Sequence, residues 1–277
     1  MTVESVIFES GGNRLVGLIH VPRAPATQAV IILVGGPQYR VGAHRQYIHL
    51  ARHLAENGIA AMRFDWTGIG DSEGDYPGFT DLSGDFGAAL DCLTKRLPEL
   101  REISLWGLCE GASAILIDGV RDPRITGAIL VNPWVRTETG EAKAFVKHYY
   151  AGRVFSRQFW LRLLKGDVAI GKSVADFMRK TRRSLQGAGG EAGSFQSRML
   201  RGLKGFSGRV LLIQSGHDLV AREFDDFTSS DPEWRAALIE ADVTRRDVID
   251  SDHTFSREVW RQQVARWTAD WVHGQTD

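Results

Sequence analysis

Residues 103–113 read Ile-Ser-Leu-Trp-Gly-Leu-Cys-Glu-Gly-Ala-Ser and join an apolar, strand-like run to a helix-like run. The turn between them has the form G-x-C-x-G, with Cys109 between Gly107 and Gly111. A side chain on such a tight turn must project outward, and flanking glycines let the backbone approach neighbouring elements without clashes. The pattern is that of a nucleophile elbow, although a buried core cysteine beside incidental glycines would give the same pattern.

Strand and helix patterns alternate on both sides of this turn. After a hairpin-like start, apolar runs of strand length each lead into a helix-like stretch. This alternation predicts parallel strands joined by right-handed crossovers, with helices on both faces of one sheet. The eight predicted strands cover residues 3–8, 15–20, 29–34, 59–64, 103–106, 126–131, 209–214 and 243–249.

The alternation stops after Asn132-Pro133-Trp134 and resumes near residue 206. Residues 135–205 carry many aromatic and basic side chains but no strong strand pattern. We expect this stretch to be a helical cap or lid, inserted into a core domain formed by residues 1–134 and 206–277. Its aromatic residues would cover an acyl pocket, although such residues more often form the core of the insertion itself.

Composition and charge exclude several classes of function. The 277 residues include 34 Lys plus Arg and 34 Asp plus Glu, so neither nucleic acid nor an anionic membrane is an expected partner. The apolar runs are far shorter than the roughly 20 residues of a membrane span. The N-terminus lacks the pattern of a signal peptide, which favours the cytoplasm. Cys92 and Cys109 are too few for a disulfide framework or a zinc site.

Three further segments, taken with the elbow, resemble the α/β-hydrolase superfamily over nearly the whole chain outside the insertion. One is a loop after the fourth strand that is similar to D-x-R-G-x-G-x-S-x-G, with Thr67 where arginine is common. The resemblance implies an α/β-hydrolase fold with its acid after the seventh strand and its histidine after the eighth. The segments are Phe64-Asp-Trp-Thr-Gly-Ile-Gly-Asp-Ser-Glu-Gly74, Ser215-Gly-His-Asp218 and Ser251-Asp-His-Thr-Phe255.

The order Cys109, Asp218, His253 is the order of nucleophile, acid and histidine that this fold implies. A thiol with a free pKa of about 8.5 is mostly protonated at neutral pH, so it needs an imidazole to take its proton and an acid to hold that imidazole. His217 is the nearest rival base, but it adjoins the predicted acid. Rival acids are Asp225, Asp226, Asp250 and Asp252.

Acyl transfer also needs N–H donors for a carbonyl oxygen that becomes anionic. The resemblance implies one donor directly after the nucleophile, the backbone N–H of Glu110, and a second in the loop after the third strand. That loop contains Pro37, which has no N–H, so Gly36 or Gln38 must supply the second donor. The alternative is that Gly-Gly-Pro forms only a tight turn.

The same loop carries a narrower resemblance. Residues 35–40 read Gly-Gly-Pro-Gln-Tyr-Arg and His44-Arg45 follow, which is similar to the exosortase A system-associated hydrolase 1 family. That resemblance implies a bacterial setting alongside exopolysaccharide production and exosortase-dependent protein sorting, with no defined substrate. Arg40, His44 and Arg45 are candidates to bind a substrate carboxylate or phosphate, although each would also suit a solvated surface.

We therefore expect a cysteine hydrolase that acts on a small-molecule ester, thioester or lactone through an acyl-enzyme, without a cofactor or metal. An acyltransferase would use the same triad and differ only in the acceptor. A catalytically silent binding or scaffold protein is the alternative of another class, suggested by the Gly-Gly-Pro loop and by cysteine in place of serine. The sequence leaves the oligomeric state open.

Overall fold

The computed structural model describes residues 1–36, 38–135, 193–241 and 243–275. The chain forms two compact units, one of Met1–Val135 with Gly193–Asp277 and one of Arg136–Ala192. The second unit lies outside the described residues, and so does most of the predicted cap with its aromatic side chains. The first unit contains every candidate site residue named above.

One sheet of eight strands forms the centre of the first unit, in the order β1-β2-β4-β3-β5-β6-β7-β8. The β1–β2 hairpin and the β2–β4 pair are antiparallel, and all the other neighbours are parallel. The predicted eight-stranded, mostly parallel sheet is confirmed. The strands are β1 Thr2–Ser10, β2 Asn13–Val21, β3 Gln28–Leu33, β4 Ala60–Phe64, β5 Glu102–Leu108, β6 Ile125–Val131, β7 Arg209–Ser215 and β8 Thr244–Val248.

Helices follow most of the strands in the described ranges. Two of them begin at an aspartate whose carboxylate accepts the first free backbone N–H groups, Asp218 and Asp231. The helices are α1 Gln46–Glu56, α2 Ser83–Arg96, α3 Glu110–Ile117, α4 Phe195–Gly205, α5 Leu219–Ser230, α6 Pro232–Glu240 and α7 Glu258–Val272. Among the described helices, none combines the length and the apolar composition of a membrane-spanning segment.

The direction of each crossover places helices on both faces of the sheet. The connection through α1 runs from β3 to β4, whereas the connection through α3 runs from β5 to β6 in the opposite direction across the sheet. Right-handed crossovers in opposite directions lie on opposite faces. In agreement, α1 packs against α7, and α3 packs against α4. The central strands are covered on both sides, which explains their continuous burial.

Helix α4 corrects the predicted end of the insertion. The sequence analysis placed residues 193–205 in the cap, but they belong to the first unit. Met199 and Leu203 on α4 are buried in the main hydrophobic core. A β-carbon on Gly202 would lie 1.7 Å from the carbonyl oxygen of Leu116, so α4 packs directly on the backbone of α3. Helix α4 is amphipathic and buries its apolar face in this core. The sequence did not indicate this, because the alternation of strand and helix patterns is lost in this part of the chain.

Candidate active site

Cys109 occupies a strained turn between β5 and α3. Its backbone has φ 58° and ψ −121°, a conformation that L-residues rarely adopt, and its N–H donates to the Val131 carbonyl at 2.9 Å. A β-carbon on Gly107 would lie 2.5 Å from the backbone of Gly111. A β-carbon on Gly111 would lie 2.8 Å from the Leu33 carbonyl oxygen. Both glycines are therefore required by close backbone packing, as the sequence predicted for an elbow.

The loop after β3 runs along this elbow. A β-carbon on Gly35 would lie 2.1 Å from the Leu108 carbonyl oxygen and 3.3 Å from the Cys109 β-carbon. Only glycine permits this approach. The loop is thus close enough to the nucleophile candidate to supply a hydrogen-bond donor beside it.

His253 and Asp218 meet after the last two strands. Nδ1 of His253 lies 2.7 Å from Oδ2 of Asp218, which is 6% exposed. The Asp218 carboxylate also accepts the N–H groups of Val220 at 3.1 Å and Ala221 at 3.3 Å, so the start of α5 fixes its orientation. With Nδ1–H donated to this carboxylate, Nε2 of the imidazole is left as the proton acceptor.

The end of β6 links the elbow to the histidine loop. Val131 accepts the Cys109 N–H, and the next residue, Asn132, donates from Nδ2 to the His253 carbonyl at 3.1 Å. These two hydrogen bonds attach Cys109 and His253 to consecutive residues of one strand end. The three predicted catalytic residues are all positioned at the carboxyl edge of the parallel strands, where α/β proteins place their sites.

Asn132 is a site residue that the sequence analysis missed. Its fully buried amide accepts the Ser215 N–H at 2.8 Å and donates to the Ser215 hydroxyl at 2.9 Å. That hydroxyl donates in turn to the Asp252 carbonyl at 2.9 Å. Asn132 has φ 43°, which asparagine tolerates better than most residues. An asparagine before proline at a strand end was the signal available, but the hydrogen bonds that it makes join segments far apart in the chain.

The rival residues have other contacts. His217 is exposed, and its backbone N–H donates to the Ser251 carbonyl at 3.0 Å. Asp225 pairs with Arg245 at 2.8 Å. Asp252 accepts the N–H groups of Thr254 at 3.2 Å and Ser256 at 3.0 Å, so it organises the loop that carries His253. Asp226 and Asp250 are exposed.

The predicted oxyanion donors differ in their surroundings. Glu110 is the first residue of α3, where the N–H has no intrahelical acceptor. The side-chain carboxyl of Glu110 lies beside Gly36, where a β-carbon would come 3.7 Å from its Oε2. Burial raises the pKa of that carboxyl, and the Gly36 N–H offsets part of the rise. The Gln38 side chain accepts the Ala43 N–H at 3.3 Å and so stabilises the next turn.

Arg40 is held by two carboxylates of the chain. Its backbone N–H donates to the buried Asp65 at 2.6 Å, and its guanidinium bonds both Asp65 and Asp71, the latter at 2.7 Å. Asp65 also faces Gly70, where a β-carbon would lie 2.3 Å from its Oδ2. The Ser72 hydroxyl donates to the Asp65 carbonyl at 2.7 Å. Arg40 is therefore committed to the loop after β4, whose shape is set by Asp65, Gly70 and Ser72.

His44 and Arg45 are exposed, with φ values of 53° and 59°. His44 lies close enough to Asp252 to act on its carboxyl. Burial would raise the pKa of Asp252, but hydrogen bonds from Ser256 and Thr254, together with the His44 charge, lower it overall. Both side chains thus face solvent, and His44 lies near the loop that carries His253. Within the described ranges, no three His, Cys, Asp or Glu side chains are grouped to hold a metal ion.

A family model described as "Serine aminopeptidase, S33", named Hydrolase_4, matches residues 25–223, which is more than half of the chain. The chain belongs to the Hydrolase_4 family. The match covers β3 to β7, the elbow and Asp218. Solved structures of α/β hydrolases also share the fold of this chain, which is therefore the α/β-hydrolase fold.

Two curated proteins are similar to part of this Hydrolase_4 chain. The polyketide transferase grgF of Penicillium sp is 30% identical over 115 residues, which are 40% of this chain and 39% of that protein. The uncharacterized protein RP471 of Rickettsia prowazekii is 25% identical over 133 residues, 48% of this chain and 56% of that protein. The chain therefore aligns with only about two fifths to just over half of the length of these curated relatives.

Two solved structures give longer matches at lower identity. The Pyrococcus furiosus esterase Pf2001 matches with a TM-score of 0.72 and 16% identity, over 99% of this chain and 91% of that chain. GrgF from Penicillium matches with a TM-score of 0.65 and 17% identity, over 99% of each chain. At these identities the likeness shows a common fold.

The Hydrolase_4 elbow of this chain has a cysteine at the position of the nucleophile candidate, whereas the family description names a serine. Ser113 on α3 is the nearest serine after Cys109, but its hydroxyl donates to the Trp134 carbonyl at 2.6 Å and accepts the Trp134 N–H at 3.0 Å. Ser113 is fully buried by these contacts. It therefore stabilises the connection after β6 and leaves Cys109 as the nucleophile candidate.

Proposed function

We propose that this chain hydrolyses a small ester, thioester or lactone through an acyl-enzyme on Cys109. The observation that carries the proposal is the 2.7 Å contact between His253 Nδ1 and Asp218 Oδ2, on a loop that Asn132 attaches to the strand end beside the elbow. An imidazole oriented in this way presents Nε2 as a base. The α/β-hydrolase fold and family membership support hydrolysis as the general class of reaction.

In the first half of the reaction, His253 Nε2 takes the proton from the Cys109 thiol. The thiolate attacks the substrate carbonyl, and the carbonyl oxygen becomes an oxyanion that the Glu110 backbone N–H stabilises with an N–H of the loop after β3. The tetrahedral intermediate then expels the leaving group, which takes the proton from His253. The product is a thioester on Cys109.

In the second half, His253 removes a proton from a water molecule, and the resulting hydroxide adds to the thioester carbonyl. The new tetrahedral intermediate expels Cys109, which recovers its proton through His253, and the carboxylic acid leaves. The N-terminus of α3 favours negative charge near Cys109 in both halves, because its free N–H groups carry a partial positive charge.

Acyl transfer is a second candidate, because grgF is named a polyketide transferase. A transferase would form the same thioester on Cys109 and pass the acyl group to an alcohol, amine or thiol in place of water. The two activities differ only in the second half of the reaction. Comparing acid release with transfer to added acceptors therefore separates them.

The experiment that tests the proposal combines turnover with mass spectrometry. Wild type, Cys109→Ala and Cys92→Ala are each given 4-nitrophenyl esters, acyl-CoA thioesters and lactones, and the quenched proteins are mapped for an acyl group. We expect an adduct at Cys109 in wild type and Cys92→Ala, and turnover in the same two proteins. A folded wild type with no turnover and no adduct across the panel would favour the silent scaffold.

Two further assignments belong to the same proposal, the biological setting of the enzyme and the role of the predicted cap. The resemblance of residues 35–45 to the exosortase A system-associated hydrolase 1 family supports a role beside exopolysaccharide production and exosortase-dependent sorting. The predicted cap, residues 135–205, is proposed to govern substrate choice, and residues 136–192 of it form the second compact unit. Replacing those residues with a short linker should spare turnover of a small activated ester and change the ranking of larger acyl groups. An unchanged ranking would assign the segment to another role.

A further inference from the structure

A small cavity lies between α1, β5 and α7, behind the loop that carries His253. Its volume is about 20 Å³, which is room for one particle the size of a water molecule and too little for a substrate. One of its walls comes from the loop itself. The lining residues are Gln46, Leu50, Trp106, Phe255, Arg261 and Val264.

Two of the lining side chains have buried N–H groups that are left unpaired. Trp106 is 2% exposed and Gln46 is 6% exposed. Among the described residues, none accepts a hydrogen bond from Trp106 Nε1 or Gln46 Nε2. A buried donor without a partner is costly, and native proteins usually satisfy such a group with another protein atom, an ordered water or an ion. Because both donors line one cavity, they indicate an acceptor inside it.

Close packing holds both donors in place. Trp106 lies on β5, which pairs with β3 on one side and with β6 on the other. The ring of Tyr47 packs edge-on against the Trp106 ring, with the ring centroids 5.8 Å apart. A β-carbon on Gly42 would lie 2.9 Å from Cγ of Gln46, so the loop before α1 restrains the Gln46 side chain. Neither donor can turn to solvent without disturbing its neighbours.

The charge of the lining distinguishes between possible acceptors. Arg261 carries the only charge among the lining residues that the structure describes, and no carboxylate lines the cavity there. Arg261 Nη1 donates to the Phe255 carbonyl at 3.1 Å and to the Ser256 carbonyl. Neither carbonyl neutralises the charge of the guanidinium. One cation and two unpaired N–H donors, without an acid, favour an anion, since hydrogen bonds to a charged acceptor are the stronger ones.

We propose that this cavity binds a single halide ion such as chloride. The ion accepts hydrogen bonds from Trp106 Nε1 and Gln46 Nε2, and it pairs with the guanidinium of Arg261. The small volume excludes carboxylates and phosphates. Because Arg261 also bonds the carbonyls of Phe255 and Ser256, the ion stabilises the loop that carries His253. The site is separate from the proposed catalytic residues, so its occupancy does not depend on the proposed function.

The test uses bromide, which replaces chloride and is identified in crystals by its anomalous scattering. Crystals of wild type are grown with sodium bromide. Melting temperatures are measured in solution with sodium bromide and with sodium acetate at the same ionic strength. The variants are Trp106→Phe, which removes the indole N–H, and Gln46→Leu, which removes the amide. Trp267→Phe on α7 is the matched control, because it makes the same change outside the cavity.

We expect an anomalous peak within hydrogen-bond distance of Trp106 Nε1 and Gln46 Nε2. Bromide should raise the melting temperature of wild type and Trp267→Phe, relative to acetate, by about 2–4 °C with saturation. The rise should be lost in Gln46→Leu and in Trp106→Phe, and either variant is sufficient if the other does not fold. Hydrogen exchange followed by mass spectrometry should show that bromide slows exchange in residues 251–257 of wild type.

Four outcomes would contradict the proposal. Density in the cavity without an anomalous signal, together with no difference between bromide and acetate, would identify a water molecule. A direct hydrogen bond between Gln46 and Trp106, with no particle between them, would remove the site. An anomalous peak without a shift in solution would mean binding at crystal concentration only. A shift in melting temperature with unchanged exchange in residues 251–257 would overturn the role in the histidine loop.

Discussion

The side-chain amide of Asn132 donates a hydrogen bond to the backbone carbonyl of His253 at 3.1 Å. The same amide joins β6 to Ser215 at the end of β7, so one side chain connects two parallel strands with the loop that follows β8. His253 is therefore held at two points, by Asn132 at its backbone and by Asp218 at its imidazole. A substitution at Asn132 should therefore remove the support of the His253 backbone while leaving the contact between its imidazole and Asp218 in place.

Replacing Asn132 with alanine should destabilise the fold and slow turnover. The substitution removes hydrogen bonds to Ser215 and His253 from a fully buried site and leaves alanine at φ 43°. We expect the free energy of unfolding in urea to fall by about 2–4 kcal/mol, with a lower kcat at an almost unchanged KM. Asn132→Gly relieves the backbone strain without restoring the amide. If its stability equals that of wild type, the hydrogen bonds of Asn132 contribute little.

Replacing Asp218 with asparagine should impair catalysis while sparing the fold. Asparagine caps a helix as well as aspartate does, so the start of α5 survives, but it does not hold Nδ1–H of His253 in the same way. We expect kcat to fall by about 10³- to 10⁴-fold in Asp218→Asn and in His253→Ala. Because the three residues act as one unit, either change combined with Cys109→Ala should match Cys109→Ala alone. A double variant far below that level would show that the residues act independently.

Alkylation should discriminate between the two cysteines. Burial raises the pKa of Cys92, and nearby Lys95 only partly offsets the rise. Cys109 lies at the N-terminus of α3, which favours a thiolate. Rates of iodoacetamide labelling, followed by peptide mass spectrometry between about pH 5 and 9, should give a faster reaction at Cys109 with a midpoint below the free-thiol value of about 8.5. Equal rates at both positions would contradict thiolate activation.

The buried His20 should make stability depend on pH. Burial first, and then the charges of Arg63 and Arg52, lower the pKa of His20 from 6.5 to about 4. His20 Nε2 accepts a hydrogen bond from Arg63 Nε at 3.0 Å, which requires a neutral ring. Between about pH 6.5 and pH 4 the unfolded chain binds this proton and the folded chain does not, so stability falls as the pH falls through that window. The full effect is on the order of 3 kcal/mol.

Urea denaturation of wild type and His20→Gln at pH 7 and pH 4.5 checks the contribution of His20. Glutamine keeps an acceptor for Arg63 but does not titrate, so the difference in unfolding free energy between the two pH values should shrink in the variant. If both proteins lose the same stability over that range, other groups cause the pH dependence.

Arg40 should matter more for stability than for binding. Arg40→Ala leaves the wholly buried Asp65 carboxylate without its cation, and we expect a loss of about 3 kcal/mol or more in unfolding free energy. Asp71→Asn removes the exposed partner and should cost under about 1 kcal/mol. The KM for an ester with a terminal carboxylate should change little in Arg40→Ala. If Arg40→Ala does not fold, the same KM is measured in Arg40→Met. A large rise in KM for this ester alone would show that Arg40 binds the substrate.

Patterns along the chain are enough to predict the fold and to point to the candidate site residues. Apolar runs of strand length in alternation with helical periodicity predict a parallel sheet, because strands buried on both faces must be continuously apolar. The G-x-C-x-G turn likewise predicts an elbow, because side chains at residues 107 and 111 would overlap with neighbouring backbone. Local patterns were sufficient to predict these features, since each pattern is formed by residues that are close along the chain.

Which side chains meet is visible only in the folded protein. The pairing of His253 with Asp218, the hydrogen bonds of Asn132 and the approach of Glu110 to Gly36 each join segments that only the folded sheet brings together. The same holds for Arg40, because its position in the sequence did not indicate that its guanidinium pairs with Asp65. A hydrogen bond between distant residues depends on the register and packing of whole elements, and the identity of a single side chain does not specify either. For this reason the sequence identified the candidate residues, while the fold determined which of them remain available to a substrate.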